Sequence, residues 1–181
     1  MACNAIRLYT CYMSTYYYAA GQKVDLEPDE EHVAIDQAAA KEAGLDAKVS
    51  AYSGTAVRAG AGVLVTSRSS LSADTIRRLQ EAGALQPVYR RDKAVIVAMP
   101  EVRVEFDTPD QRGRVMSLLS PNASDVSVTE DTTDRLVIRP VSGRGEDALN
   151  LANRIQEYAN PAAVSVRFVQ FVPKPKTTAQ S

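Results

Sequence analysis

The stretch "EVRVEFDTPDQ" (101–111) decides the fold. Val102, Val104 and Phe106 alternate with charged neighbours, which is the period of a strand with one buried face. Thr108-Pro109-Asp110 then predicts a helix start. Thr108 is suited to cap, Pro109 to the first helical position, and Asp110 to the positive helix end. Val115, Met116, Leu118 and Leu119 supply an apolar stripe, and Pro121-Asn122 ends the helix. Downstream, "DVSVTED" and "DRLVIRPV" read as two strands turning at "EDTTD". Gly143 and Gly145 break the chain before a second helix, where Ala148, Leu151, Ala152, Ile155, Tyr158 and Ala159 recur with helical period. Asn160-Pro161 stops it. "AVSVRFVQFV" closes the run as a strand with Val164, Val166, Phe168, Gln170 and Val172 on one face. The order βαββαβ over 101–173 predicts an α+β, ferredoxin-like antiparallel sandwich with both helices on one side of a four-stranded sheet.

Residues 16–100 repeat this grammar loosely. A β-hairpin with Ala20-Gly21 as its turn places Tyr17 opposite Val24, Tyr18 opposite Lys23 and Tyr16 opposite Asp25. Tyr17 is then the core anchor, and Tyr16 and Tyr18 line the more exposed face. "HVAID" reads as a strand leading into "QAAAKEAGLDA", an alanine-rich helix ending near Gly44. Gly54, Gly60 and Gly62 fall in an irregular stretch before the strand "GVLVTSR". Ser72 caps a helix that Gly83 ends, with Leu71 stapled onto Ile76. The expectation is a smaller α+β unit with an N-terminal hairpin, bounded near Pro100. Residues 1–15 are expected to be poorly ordered, and 174–181 to form an extended tail.

Composition narrows the function classes. Over 181 residues, 21 basic and 22 acidic side chains give a net charge of −1, without the basic face that nucleic acid requires. Cys3 and Cys11 are too few for a disulfide framework or a zinc site. His32, the only histidine, follows three acids and reads as a solvated loop residue. No G-x-S-x-G, P-loop, H-E-x-x-H or C-x-x-C motif is present, so neither catalysis, a cofactor nor a metal is expected. The opening lacks the apolar core of a signal peptide, and no run is long enough to span a membrane. A cytoplasmic product is expected from the sequence as written, and a secreted or periplasmic one if the start is mis-assigned. Asn122-Ala123-Ser124 matches a glycosylation sequon without sign of secretion.

Two stretches resemble the amino-terminal prosegment of bacterial subtilisin-family serine proteases. "YYYAAGQKVDLEPDEEHVAID" is similar to the aromatic–Gly–Lys–Leu–Pro–acidic–Val-Ala opening of longer bacterial prosegments. "VRVEF" followed by "EDALNLANRIQEYANPAAVSVRFVQFVPK" is similar to their ending, an alanine/leucine-rich helix and a strand. The Glu-Pro-Asn signature of that strand is replaced by residues of "FVQFV", and residues 1–181 contain no protease catalytic motifs. The resemblance implies a stand-alone prosegment-like protein or the front of a longer gene product, acting in cis or in trans as inhibitor, folding chaperone or both.

It also implies that the open sheet face lies on the protease, with acids near its edge capping helix amino termini there. Glu130, Asp131 and Asp134 are the candidates. The tail, with Pro173, Thr178, Ala179, Gln180 and Ser181, would lie extended in the protease cleft by strand addition. Solvated acids and a solubilising tail are the plain structural alternatives for these residues. Two other functions stay open: an adaptor using the same sheet, and a small-molecule-sensing regulator using the glycine-rich stretch 54–62.

Overall fold

The computed structural model describes residues 15–52, 54, 56–60 and 62–173. The tyrosine stretch forms β1 (Thr15–Ala19) and β2 (Gln22–Pro28). Ala20 and Gly21 both have positive φ, 50° and 77°, as the two-residue turn of a tight hairpin demands. That turn fixes the register at Tyr16↔Asp25, Tyr17↔Val24 and Tyr18↔Lys23, as the sequence predicts. The expectations for residues 1–14 and 174–181 lie outside the described residues.

Next come β3 (His32–Asp36), α1 (Gln37–Glu42), α2 (Asp46–Ser50), β4 (Val57–Gly60), β5 (Val63–Ser67), α3 (Ala73–Glu81) and β6 (Leu85–Gln86). Asp36 starts α1 by accepting from the Ala38 N–H at 2.9 Å, and Ser72 starts α3 by accepting from the Thr75 N–H at 3.1 Å. The alanine-rich helix is two short ones, broken at Gly44, which has a φ of +69°. The glycine-rich stretch before β5 is not simply irregular. Val57–Gly60 pairs with β5 as an antiparallel strand, with a register shift between Arg58 and Gly60.

The second half contains β7 (Val88–Arg91), β8 (Ala94–Glu105), α4 (Pro109–Leu119), β9 (Val126–Asp131), β10 (Arg135–Pro140), α5 (Gly145–Ala159) and β11 (Ala163–Phe171). Thr108 and Gln111 form the reciprocal capping box of α4. Asn160 ends α5 in the left-handed conformation, with a φ of 43°.

The described residues therefore form an α+β protein with two antiparallel sheets and five helices. The smaller sheet has the order β4-β5-β3-β6. The larger has seven strands: β1-β2-β7-β8-β10-β9, with β11 on the free edge of β8. The sequence reading expects four strands here and assigns the hairpin to the first unit. The difference comes from the length of β8, which begins at Ala94 rather than Glu101. β11 runs along one edge of it, while the other edge is shared by β10 (at 102–105) and β7 (at 94–97). Through β7, the hairpin joins the large sheet. The strand passes through Pro100 because β8 spends four steps (98 to 102) against two of β11 (168 to 166), an irregularity that spares proline a ladder bond.

Alternation along β8 organises two of the three cores. Ile96, Ala98, Val102 and Val104 face α4 and α5, where Val115, Leu119, Ala148, Leu149 and Ile155 are buried. The expected α5 stripe is rotated in the structure: Leu149 is 1% exposed and Tyr158 is 73% exposed. Val95, Val97 and Met99 face the other way and pack with Ala34, Val63 and Val65 of the small sheet. That small sheet holds its own helices on its far side, with Leu79, Val49 and Ala40 against Ile35 and Leu64. Each fully buried leucine or isoleucine contributes about 2 kcal/mol of transfer free energy.

A buried polar contact joins the halves. Gln86, 1% exposed, donates from Nε2 to the Gly83 carbonyl at 2.7 Å and the Gly143 carbonyl at 2.8 Å. Its Oε1 accepts from the Gly145 N–H at 2.7 Å. Arg144, the residue preceding α5, offers no side-chain cap, so Gln86 supplies one from the other unit. A Cβ at Gly145 would lie 1.9 Å from the Ala98 carbonyl oxygen, whereas one at Gly113 in α4 would meet nothing within 4 Å. Gly145→Ala is therefore expected to destabilise by about 2 kcal/mol or more. Gly113→Ala should stabilise by about 0.5–1 kcal/mol through a lower unfolded-state entropy. Urea unfolding of the two variants beside the wild type checks both signs.

Candidate functional site

Packing between the sheets covers only half of the large sheet's outer face. At Pro100 the outward residues of β8 change from Val95, Val97 and Met99 to Glu101, Arg103 and Glu105. Register places Arg139 of β10 and Arg167 of β11 beside Glu101, and each guanidinium reaches its Oε2 at 3.9 Å. Val137 and Ser165 flank Arg103, and Arg135 and Ala163 flank Glu105. The result is a polar platform across β10, β8 and β11.

The structure separates the three acids chosen from the sequence. Glu130 pairs with Val137 in register and faces outward, where it accepts from Arg135 Nε at 2.8 Å. Asp131 pairs with Leu136 and faces the helices; it forms an ion pair with Arg112 of α4 at 2.6 Å. Asp134 lies in the turn, accepting from the Thr132 hydroxyl at 2.8 Å, and this bond, ahead of other influences, holds its carboxyl below the usual range. Only Glu130 lies on the open face. Pro173 is exposed two residues beyond β11, and Thr178, Ala179, Gln180 and Ser181 lie outside the described residues.

At the opposite end, the hairpin locks onto α5 and β11. The Tyr17 ring meets Phe168 edge-on, with centroids 5.0 Å apart. Tyr16 and Tyr18 donate their phenolic hydrogens to Glu157 Oε1 at 2.7 and 3.0 Å, and Lys23 stands 4.3 Å above the Tyr16 ring. These two hydrogen bonds hold the Glu157 carboxyl below its ordinary pKa. Asn153, nearly buried, donates to the Tyr16 carbonyl at 2.8 Å while its Oδ1 has no partner among the described residues. Tyr16 and Tyr18 are half-buried, so the more exposed face expected of them is instead spent on a helix contact. The sequence offered no sign of this because Glu157 is about 140 residues away, one exposed acid among many.

His32 is not a solvated loop residue. It opens β3 with its side chain 33% exposed and its Nδ1 3.0 Å from both oxygens of Asp29. The Asp29 side chain, 5% exposed, also accepts from Arg90 Nε at 2.8 Å and from the N–H groups of Glu31 and His32. Asp29 and His32 border a cleft of about 250 Å³ between the two units. Among the described residues, Thr15 and Tyr89 bring the only hydroxyls to its lining. Burial, then the Glu146 charge, pushes the Tyr89 phenol well above its usual pKa. Among the described residues, no group of three or more His, Cys, Asp or Glu could hold a metal ion, and no helix is long and apolar enough to cross a membrane. Comparison of the chain with protein-family models, with curated proteins and with solved structures gives no match.

Two stability tests follow from these contacts. The Glu130–Arg135 and Asp131–Arg112 pairs are solvent-exposed, so Glu130→Gln and Asp131→Asn should each cost under about 1 kcal/mol in thermal melts. Asp29 behaves differently. Burial raises its pKa, but the His32 hydrogen bond and charge, then Arg90, outweigh burial and leave it lowered. A lowered folded-state pKa stabilises the fold above the unfolded value of about 3.9, and that contribution disappears as pH falls through the folded value. Wild type should therefore be more stable than Asp29→Asn at pH 7, with the gap closing below about pH 4 in urea unfolding.

Proposed function

We propose that the chain is a non-catalytic prosegment-like protein that binds a subtilisin-family serine protease as inhibitor, folding chaperone or both. In this reading each βαββαβ run is a ferredoxin-like sandwich, because β3–β6 and, within the larger sheet, β8–β11 each order their strands second–third–first–fourth with their helices on one side. One observation carries the proposal. The two stretches that resemble prosegments, the tyrosine hairpin and the α5–β11 ending, pack directly on each other through Tyr17–Phe168 and Tyr16–Glu157. Residues that resemble the two ends of a prosegment thus build one unit.

The open half-face beside them is the docking surface in this reading, and β11 leads from it towards the tail. Glu130, already on that face, is the acid best placed to meet a helix amino terminus of the protease. Asp131 and Asp134 hold the hairpin in shape. The tail from Pro173 onward occupies the cleft as an added strand.

Purified chain at micromolar concentration is expected to inhibit a subtilisin-type protease and to raise its refolding yield. The reading fails if both activity and yield stay unchanged. Deleting residues 173–181 should abolish inhibition while preserving the melting temperature; undiminished inhibition would remove the tail from the mechanism.

A further inference from the structure

The open half-face carries an imbalance that its own residues do not resolve. Arg103 stands in the middle of the central strand, between Val137 and Ser165, and is exposed. Among the described residues its side chain makes no hydrogen bond or ion pair. One step along the strand, Arg139 and Arg167 share a single carboxylate, Glu101, each at 3.9 Å, with their side chains 46% and 43% exposed. Arg135 is already matched by Glu130. The face thus holds four arginines against three acids, Glu101, Glu105 and Glu130, with Arg139 and Arg167 sharing the loosely held Glu101, and it adjoins the apolar interface at Val95, Val97 and Met99. Arginine at the centre of a patch is a common binding hot spot, because its planar fork grips carboxylates and its stem covers apolar surface.

We infer that this half-face selects a protein partner whose docking surface presents carboxylates, with Arg103 as the central contact and Arg139 and Arg167 beside it. The inference rests on the protease reading and adds what that reading leaves open: which member of the protease class is chosen. The partner carries acidic side chains where it meets β8, and they relieve the crowding around Glu101. A basic partner surface would be rejected, since like charges brought together in a desolvated interface repel.

The test measures inhibition constants of the full chain, Arg103→Glu, Arg103→Lys and the double exchange Arg139→Glu/Arg167→Glu against one inhibited subtilisin-type protease, from low to high salt. Arg103→Glu and the double exchange should each weaken inhibition about tenfold or more, and the wild-type affinity should fall with salt. Arg103→Lys should retain part of the affinity. Melting temperatures within a few degrees of wild type separate these effects from unfolding. Equal inhibition by wild type and Arg103→Glu would overturn the inference and leave the protease reading standing. No inhibition by the wild type would overturn both. Gel-shift with a single-stranded oligonucleotide is the third arm. Micromolar binding that Arg103→Glu abolishes would reassign the face to a phosphate backbone and also overturn the inference.

Discussion

The side chain of Gln86 is the contact on which the arrangement of the two units depends. It is buried, it touches three backbone groups, and two of those belong to the other unit. A glutamine has enough donors and acceptors to satisfy all three, so nothing polar is stranded at the junction. Each of those backbone groups would cost about 1–3 kcal/mol if left without a partner. The close approach of Gly83 to Gly143, where either Cβ would meet the other Cα at 3.0 Å, is tolerable only because both side chains are absent. Together these contacts set the start of α5, and α5 in turn sets the core on which the hairpin rests.

β8 converts that junction into two surfaces. Its even-numbered residues other than Pro100 face the helices, so its odd-numbered residues are free to change character. Up to Met99 they are apolar and covered by the small sheet; from Glu101 they are charged and open. The irregularity around Pro100 preserves this parity, because two extra residues keep each side chain on its original face. A single extra residue would have turned the charges inward.

The legible parts of the fold were those with a clean period or a strong cap. The alternation in 101–106, the Thr108–Gln111 box, the Ser72 cap and the Ala20-Gly21 turn each translate directly into backbone geometry. "AVIVAMP" was harder, since a strand buried on both faces shows no alternation and its proline reads as a stop. The four residues of β4 carry one sizeable apolar side chain, Val57, too few to show a strand period. In α5 the helical period fits two neighbouring stripes equally well, and only tertiary packing chooses Leu149 over Tyr158. Of the candidate site, the acids were visible as a turn, but which of Glu130 and Asp131 faces outward depends on their pairing with Val137 and Leu136. Gln86 and the arginine platform are relations between distant residues, and local pattern has no means of reporting them.

The interleaving of the sheets bears on how the chain is made. The small sheet is complete by residue 86, yet its outer face, with Ala34, Val63 and Val65, is covered by residues as late as Val169. During synthesis the first residues that cover it, Val88, Val95, Val97 and Met99, follow soon after Gln86, whereas Val169 emerges only some eighty residues later. Domains that can fold early usually do, and an uncovered sheet face is prone to aggregate. The first half therefore acquires a finished surface only when the last strand arrives, which ties its survival in the cell to translation reaching the end of the described chain.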